Sequence, residues 1–281
     1  MFELPWTVVD RAVATALEED LASGDITAEA CIDAGAQAVA HAVSREGLVV
    51  CGGPVFARVF RAVEPSLSVE IHIADGTRAE AGARLWTVRG RARSILMGER
   101  VALNFVQRMC GVATRTREFV DAVPAGARTR ITDTRKTTPG LRALERYAVR
   151  VGGGRNHRDD LGAAVLIKDN HVAACGGVRA AVARARAAAP HTAKIECEID
   201  SLDQLEDAIT AGADIVLLDN MSDADVAAAV AKGRGRVLLE ASGGMTLARI
   251  PELARIGVDA ISIGALTHSV RASDVGLDFE P

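Results

Sequence analysis

The sequence has few features of a secreted protein that is stabilised by disulfide bonds. Its five cysteines form no CxxC pair and are scattered over positions 31, 51, 110, 175 and 197. A chain of 281 residues can bury a large core, so it does not need disulfide bonds for stability. Neither an HExxH motif nor a cluster of cysteine and histidine is present, which argues against a zinc site. We therefore expect free thiols in a reducing cytoplasm.

Signals for export, membrane insertion and nucleic-acid binding are also missing. The opening segment MFELPWTVVDRAV lacks a basic start followed by an apolar run. No apolar stretch approaches the ~20 residues that a membrane-spanning helix needs. The formal net charge is −4, whereas proteins that bind duplex nucleic acid usually carry a basic surplus. We expect a cytoplasmic protein that binds neither membranes nor nucleic acid.

Aromatic residues are scarce, at 3% of the chain, although 49% of the residues are hydrophobic. Such a composition predicts aliphatic packing of helices on sheets. Within residues 1–111, hydrophobic periodicity predicts helices over 7–21 and 54–63 and strands over 36–44, 47–52, 66–73 and 84–90. This mixture predicts an N-terminal α+β sandwich domain.

A long helix is predicted to begin at Ala92 and to end at Gly111, where glycine interrupts its apolar face. We interpret this helix as the connector to a second domain over residues 112–268. The last residues, 269–281, fall outside the pattern of that domain, and we expect them to pack back on the first one.

The second domain alternates short apolar runs with Ala-rich helical patterns. Strands are predicted over 129–134, 164–169, 193–200, 214–220, 236–242 and 260–265, with a further short strand over 149–154. Helices are predicted over 141–147, 178–188, 202–211, 223–232 and 247–256. Repeated strand–helix units favour a parallel sheet that is buried on both faces. The sequence thus predicts an incomplete α/β barrel of about seven strands.

Basic side chains follow several of these strands, close to a run of glycines at 152–154. They are Arg135, Lys136, His157, Arg158 and Lys168. Arginine forks, lysine charges and protonated histidine suit a small polyanion, so we interpret the group as an anion site. Two alternatives stay open: each side chain could line a solvated rim, or Lys168 could form an iminium in an aldolase-like barrel.

Carboxylates form a second group at strand ends, and they are Glu196, Glu198, Asp219 and Glu240. Residues 196 and 198 project to the same face of their strand. Inward carboxylates near Asp219 could hold magnesium and the hydroxyls of a sugar. Alternatively, these acids pair with Arg135, Lys136 or Lys168 in a buried ion network.

Glycine-rich turns follow the last two predicted strands, at Ser242, Gly243 and Gly244 and at Gly264 and Ala265. Late barrel loops often present backbone N–H groups to a phosphate, and glycine allows close approach. Arg100 lies in the connecting helix and would matter only if another copy of the chain placed it in a site.

Several ordered motifs carry a resemblance that runs nearly from end to end. They are GDIT from Gly24, ERVALNFVQRMCGVAT from Glu99, DTRKTTPGLRALERYAVRVGGGRNHR from Asp133, LIKDNH from Leu166, IECEIDSL from Ile195, LLDN from Leu217, EASGG from Glu240 and ISIGALTHS from Ile261. With these motifs the chain resembles the quinolinate phosphoribosyltransferase family, also called carboxylating nicotinate-nucleotide pyrophosphorylase.

The resemblance implies a reaction in de novo NAD synthesis. Quinolinate and phosphoribosyl pyrophosphate (PRPP) would give nicotinate mononucleotide, pyrophosphate and carbon dioxide, with Mg²⁺ required. It also implies homodimers in which one subunit contributes to the active site of the other, with higher assembly left open.

The motif positions imply roles for individual residues. Quinolinate would meet Arg135, His157, Arg158 and Lys168, with Arg100 arriving from the partner subunit. Lys136 would face pyrophosphate, and Glu198 with Asp219 would face the ribose hydroxyls and Mg²⁺. The 5′-phosphate would meet Ser242, Gly243, Gly244, Gly264, Ala265 and His268. Lys136, Lys168, Glu198 and Asp219 are thus the candidate catalytic residues.

The sequence departs from the family at Cys110, where serine is common, and at Ala163, where aspartate is common. Asp159 and Asp160 also place negative charge beside Arg158. Besides the aldolase alternative, a paralogue that is associated with molybdenum transport shares part of the pattern. Retention of both NHR and KDNH argues against that paralogue.

Overall fold

The computed structural model describes residues 3–280, which fall into two compact units. The first unit comprises the described residues up to Arg117, Thr137–Gly153 and the residues from Leu266 on. The second unit comprises Glu118–Lys136 and Gly154–Ala265. The helix that follows Gly140 thus belongs to the first unit.

The strands are, in chain order, β1 (Gln37–Ser44), β2 (Leu48–Val49), β3 (Ser68–Ile71), β4 (Arg78–Ala79), β5 (Arg84–Arg91), β6 (Arg130–Thr132), β7 (Val165–Ile167), β8 (Ile195–Ile199), β9 (Ile215–Asp219), β10 (Leu238–Ser242), β11 (Ala260–Ser262) and β12 (Val275–Phe279). The α-helices are α1 (Trp6–Leu21), α2 (Ile26–Cys31), α3 (Gly53–Val63), α4 (Ala92–Asp121), α5 (Arg142–Val151), α6 (Asp169–Cys175), α7 (Val178–Ala188), α8 (Asp203–Thr210), α9 (Asp223–Gly233) and α10 (Ile250–Ile256). Short 3-10 helices cover Leu247–Arg249 and Gly264–Leu266. Within residues 3–280, none of the helices combines the length and apolar character that a membrane crossing requires.

The first unit is the expected α+β domain. Its antiparallel sheet has the order β12-β1-β5-β3, so the C-terminal strand β12 pairs with β1. The few aromatic residues concentrate in its core: Trp86 of β5 is fully buried, and its ring centroid lies 4.9 Å from that of Phe56 on α3. Helix α3 begins with Gly-Pro, and proline is favoured in a first helical turn because its missing N–H needs no partner there.

The predicted end of the long helix at Gly111 is wrong, because α4 continues to Asp121. The glycine has a packing role within the first unit. A Cβ at position 111 would lie 2.2 Å from the carbonyl oxygen of Arg271, which is far inside van der Waals contact. The C-terminal segment therefore runs directly against the helix backbone.

Substituting Gly111 with alanine is expected to lower the free energy of unfolding by ~1–3 kcal/mol. Alanine favours a helix over glycine by ~1 kcal/mol, but the clash with the backbone at Arg271 outweighs that gain. Urea unfolding measures the change. Gly233→Ala is the matched control, since its Cβ would meet only side-chain methyls, with Leu239 at 3.1 Å as the nearest. Equal stability of the Gly111→Ala variant and the original chain would contradict the packing role.

The second unit is an incomplete parallel barrel that has six strands among the described residues, in the order β6-β11-β10-β9-β8-β7. The predicted strand over 149–154 is wrong: its first three residues end α5. The alternating letters Val-Arg-Val fit a strand, but they are too few to outweigh the helix that precedes them. Arg155 forms a single parallel bridge with Thr132 of β6 instead, so the barrel stays open between this segment and β7.

Candidate active site

The carboxyl ends of the parallel strands bring the predicted residues of the second unit to one edge. Asp133 directly follows β6, and Lys168 directly follows β7. The register pairs Ser242, the last residue of β10, with Asp219, the last residue of β9. Glu198 pairs with Leu217, two residues before Asp219. Active sites of α/β barrels form at this edge, because the loops that follow all the strands meet there.

Two guanidinium groups interact electrostatically at this edge. Burial and the charge of Arg135 lower the pKa of Arg158, although Glu196 and Asp160 act in the opposite direction. Arg158 donates from Nη1 to the carbonyl oxygen of Ala164, at 3.1 Å, just before β7 begins. The Nε atom of Arg135 is buried and has no hydrogen-bond partner among the described residues. Two neighbouring cations, one of which has an unused buried donor, favour an anionic ligand.

Lys168 contacts a carboxylate through its side chain and the first turn of α6 through its backbone. Its Nζ forms an ion pair with Glu198, and its side chain is 46% exposed. Its backbone N–H donates to Nδ1 of His171, at 3.0 Å, and the backbone N–H of His171 donates to the Lys168 carbonyl, at 2.8 Å. These reciprocal bonds begin α6, which the sequence analysis did not predict. A polar side chain three residues after a strand end is the capping signal that could have located this helix.

Asp133 organises the NHR segment, a role that the sequence analysis missed. The side chain is 0% exposed and accepts hydrogen bonds from Nδ2 of Asn156, at 2.6 Å, and from the backbone N–H of His157, at 2.7 Å. A buried carboxylate needs such partners, since an unpaired buried charge is costly. The signal in the sequence is a lone acid that follows the buried strand RIT.

His157 lies on a pair of buried carboxylates. Its Nε2 is 3.0 Å from Oε2 of Glu196 and 3.5 Å from Oε1 of Glu240. Its Nδ1 accepts the backbone N–H of Arg158, at 2.9 Å. Burial alone would lower the pKa of His157, but the hydrogen bond to Glu196 and the charges of Glu196, Glu240 and Asp133 raise it. Both ring nitrogens therefore already have partners within the second unit.

Glu240 is the most strongly perturbed acid of this group. Burial and the charge of Glu196 raise its pKa to about 7, although His157 acts in the opposite direction. Glu196 is 4% exposed and Glu240 is 5% exposed. The Oε1 atom of each has no hydrogen-bond partner among residues 3–280. Ion pairs of the kind that the alternative interpretation expects do occur: Lys168 pairs with Glu198, and His157 pairs with Glu196 and Glu240.

Asn220 links Asp219 to the glycine turn after β10. Its side-chain amide donates to Asp219 at 2.8 Å, and its backbone N–H donates to the carbonyl oxygen of Ser242 at 3.0 Å. A Cβ at Gly243 would lie 2.1 Å from Oδ1 of Asn220, and Gly243 has a φ of +89°. At Gly244, a Cβ would meet none of the described residues within 4 Å. Packing thus explains the first glycine, while the second leaves an open surface where a phosphate could approach.

Four further predicted residues divide between the two units. Gly264 and Ala265 are half-buried in the 3-10 helix after β11, and both belong to the second unit. Arg100, exposed on α4, and His268, also exposed, belong to the first unit. The roles of Arg100 and His268 at the site stay predictions.

The predicted magnesium ligands have suitable donor chemistry. Glu198 and Asp219 offer half-buried carboxylate oxygens from the neighbouring strands β8 and β9, and Mg²⁺ prefers oxygen ligands. The group of His157, Glu196 and Glu240, whose ligand atoms lie within 4.8 Å of one another, offers an imidazole nitrogen as well. Magnesium therefore fits Glu198 and Asp219 better.

A parallel α/β barrel that gathers cations and carboxylates where its strands end defines a class of enzyme for small, highly charged substrates. The family model described as "Quinolinate phosphoribosyl transferase, N-terminal domain" matches residues 25–110. The corresponding C-terminal domain model matches residues 112–278. The chain therefore belongs to the quinolinate phosphoribosyl transferase family, which confirms the resemblance seen in the sequence.

Individual relatives agree with this assignment. The carboxylating nicotinate-nucleotide pyrophosphorylase of Mycobacterium leprae is 47% identical over 270 residues, which cover 94% of each chain. The probable enzyme of the same name from Bacillus subtilis is 41% identical and covers 92% of this chain and 89% of its own length. The structure of nicotinate-nucleotide pyrophosphorylase from Francisella tularensis superposes with a TM-score of 0.93 at 40% identity, covering 99% of this chain and 98% of that one.

Proposed function

We propose that the protein is a quinolinate phosphoribosyltransferase (decarboxylating). It joins quinolinate to PRPP and releases nicotinate mononucleotide, pyrophosphate and carbon dioxide in de novo NAD synthesis. Family membership over both domains supports this activity. The observation that carries it is the electrostatic interaction of Arg135 with Arg158, at the strand edge that also holds Lys168, Glu198 and Asp219.

The cationic group of Arg135, Arg158 and Lys168 suits a ring with two neighbouring carboxylates. Arg135 and Arg158 each offer a planar fork for one carboxylate, and Lys168 adds a compact charge. Fixing both carboxylates aims the ring nitrogen at the anomeric carbon, a positioning effect worth up to ~7–11 kcal/mol in favourable cases. His157 supports this group: its Nδ1 accepts a hydrogen bond from the backbone N–H of Arg158, and its Nε2 pairs with Glu196.

The carboxylates suit the sugar. Departure of pyrophosphate leaves positive charge on the ribose, and Glu198 and Asp219 can stabilise that charge while binding the hydroxyls. When bound to these two residues with PRPP, Mg²⁺ would neutralise the leaving group. Lys136 would stabilise the departing pyrophosphate. The 5′-phosphate would bind N–H groups at Ser242 to Gly244 and at Gly264 and Ala265, with His268 as a further ligand.

Decarboxylation needs little from the protein. Once the ring nitrogen bonds to ribose it is cationic, and the electron pair left on the adjacent carbon by departing carbon dioxide is stabilised by that charge. The site therefore has to hold the carboxylate and the ring in place until the bond breaks. A covalent nucleophile is not required.

We further propose a cytoplasmic homodimer with shared sites, in which Arg100 reaches the site of the partner subunit. The exposure of Arg100 on α4 supports this role. A reducing cytoplasm is compatible with the five free cysteines of the structure. Assembly of dimers into larger oligomers is left open.

The aldolase alternative has less support. An iminium-forming lysine is usually desolvated in an apolar pocket, whereas Lys168 is 46% exposed and paired with a carboxylate. A paralogue without this activity, such as the one associated with molybdenum transport, would not need the complete cationic group together with Glu198 and Asp219.

The proposed function is tested by supplying PRPP, Mg²⁺ and either quinolinate or nicotinate, and measuring pyrophosphate and carbon dioxide together. We expect equal amounts of both products with quinolinate. Nicotinate should be a poor substrate, because it has one carboxylate for a cationic group that suits two. Trapping of a carbonyl substrate by borohydride, without release of pyrophosphate, would favour the aldolase instead.

A further inference from the structure

A buried acid that the proposed mechanism does not use lies beneath the cationic group. Glu240 projects from β10 and is 5% exposed. Its Oε1 lies 3.5 Å from Nε2 of His157 and has no hydrogen-bond partner within the described residues. A buried carboxylate beside a second one is costly to keep ionised, so an acid at this position calls for an explanation.

The contacts of Glu240 lead to the residues proposed to bind quinolinate. Titratable groups face it from three directions: Glu196 on β8, His157 after the Arg155 bridge, and Asp133 after β6. His157 bonds Glu196 through Nε2 and accepts the N–H of Arg158 at Nδ1. The charges of Glu196 and of Arg135 both act on Arg158. A change of charge at Glu240 is therefore transmitted over a short path to the carboxylate-binding guanidinium groups.

We propose that Glu240 is a positioning residue for quinolinate, which shares a proton with His157 and thereby sets the charge beneath Arg158. This inference rests on the proposed function. With the proton present, the group of His157, Glu196 and Glu240 carries one negative charge fewer, and the dianionic substrate binds best. When the proton leaves, an added buried charge repels both carboxylates of the substrate.

The pH range follows from the environment of Glu240. Its pKa is raised to about 7, so the proton is lost as the pH rises through neutrality. Because His157 and Glu240 interact strongly, this loss of a proton is a property of the pair rather than of either residue alone. Quinolinate itself stays dianionic over this range, since free carboxyl groups ionise near pH 4.

The test is calorimetric binding of quinolinate, without PRPP, between about pH 6 and about pH 9. For the unsubstituted protein, we expect the Kd to rise about 10-fold, with a midpoint near neutrality. Titrations in buffers of different ionisation enthalpy should show proton uptake on binding above that midpoint. In Glu240→Gln, the step should vanish or its midpoint should move by about one pH unit or more. Glu206→Gln, which alters an exposed acid paired with Arg236, should keep the original profile.

A Glu240→Gln variant with an unchanged midpoint would overturn the inference and leave the proposed function intact. So would an unsubstituted protein whose quinolinate affinity is independent of pH, or which binds quinolinate without proton uptake. The last two outcomes need no variant, so the inference stays testable if Glu240→Gln does not fold. Failure of the unsubstituted protein to bind quinolinate at any pH would overturn the proposed function and this inference together.

Discussion

Replacing Arg135 with alanine is expected to lower kcat/KM for quinolinate about 100-fold or more, equivalent to ~2.7 kcal/mol of transition-state stabilisation. The side chain offers a planar fork, and its buried Nε has no hydrogen-bond partner among residues 3–280. Its charge also acts on Arg158. Without this fork, one carboxylate of the substrate loses its ligand, and the ring nitrogen is no longer aimed at the anomeric carbon. Steady-state kinetics with quinolinate varied at saturating PRPP measure the loss.

Lys168→Ala should have an effect of similar size, because the same substrate loses a compact charge and Glu198 loses its partner. Both variants should keep the fold, and urea unfolding checks this. Lys194→Ala is a matched control. This lysine is 66% exposed, pairs with Asp214 and precedes β8, at the opposite end of the strand from Glu198. Near-normal turnover in both the Arg135 and the Lys168 variants would contradict their roles.

Hydrophobic periodicity was sufficient to predict most of the fold. The helix over 178–188 agrees with α7 to the residue, and each predicted strand from 164 onward contains an observed one. Continuous apolar strands separated by Ala-rich helices leave few arrangements other than a parallel sheet, and the two-domain α/β class is confirmed.

The two errors in the fold have different origins: the one at Gly111 is long-range, and the one over 149–154 is local. The local sequence around Gly111 predicts a helix end. The glycine is instead required by the close approach of the carbonyl oxygen of Arg271, 160 positions away in the sequence. The segment over 149–154 offers an alternating pattern, but α5 extends through its first half. Periodicity does not report which distant backbone will pack against a residue, so an error of the Gly111 kind is expected.

The candidate site was predictable in its residue types but not in its partners. The order of strand ends indicates that Arg135, Arg158, Lys168, Glu198 and Asp219 share one edge, and the structure agrees. The partners across the sheet could not be predicted in this way. The sequence around NHR does not indicate that His157 pairs with Glu196 and Glu240, since the three residues are far apart in the chain. The functional roles of all these residues remain predictions.

Mixing two inactive variants, Arg100→Ala and Lys168→Ala, is expected to restore roughly a quarter of the original activity. If Arg100 acts in the site of the partner subunit, each mixed dimer has one site with both substitutions and one site with neither. Random assortment makes about half of the dimers mixed, so about a quarter of all sites become complete. The measurement is release of pyrophosphate after the variants are co-refolded or co-expressed at equal amounts.

The control for this mixture is Arg135→Ala with Lys168→Ala. Both residues belong to the second unit of the same chain, so every site in a mixed dimer of these variants still lacks one of them. Activity should therefore stay near that of the separate variants. Recovery in the first mixture and not in the second is the pattern that a shared site requires, because only an exchange of residues between subunits can rebuild it. If neither mixture recovers, although mixed dimers are detected by mass spectrometry, Arg100 acts within its own chain or not at all.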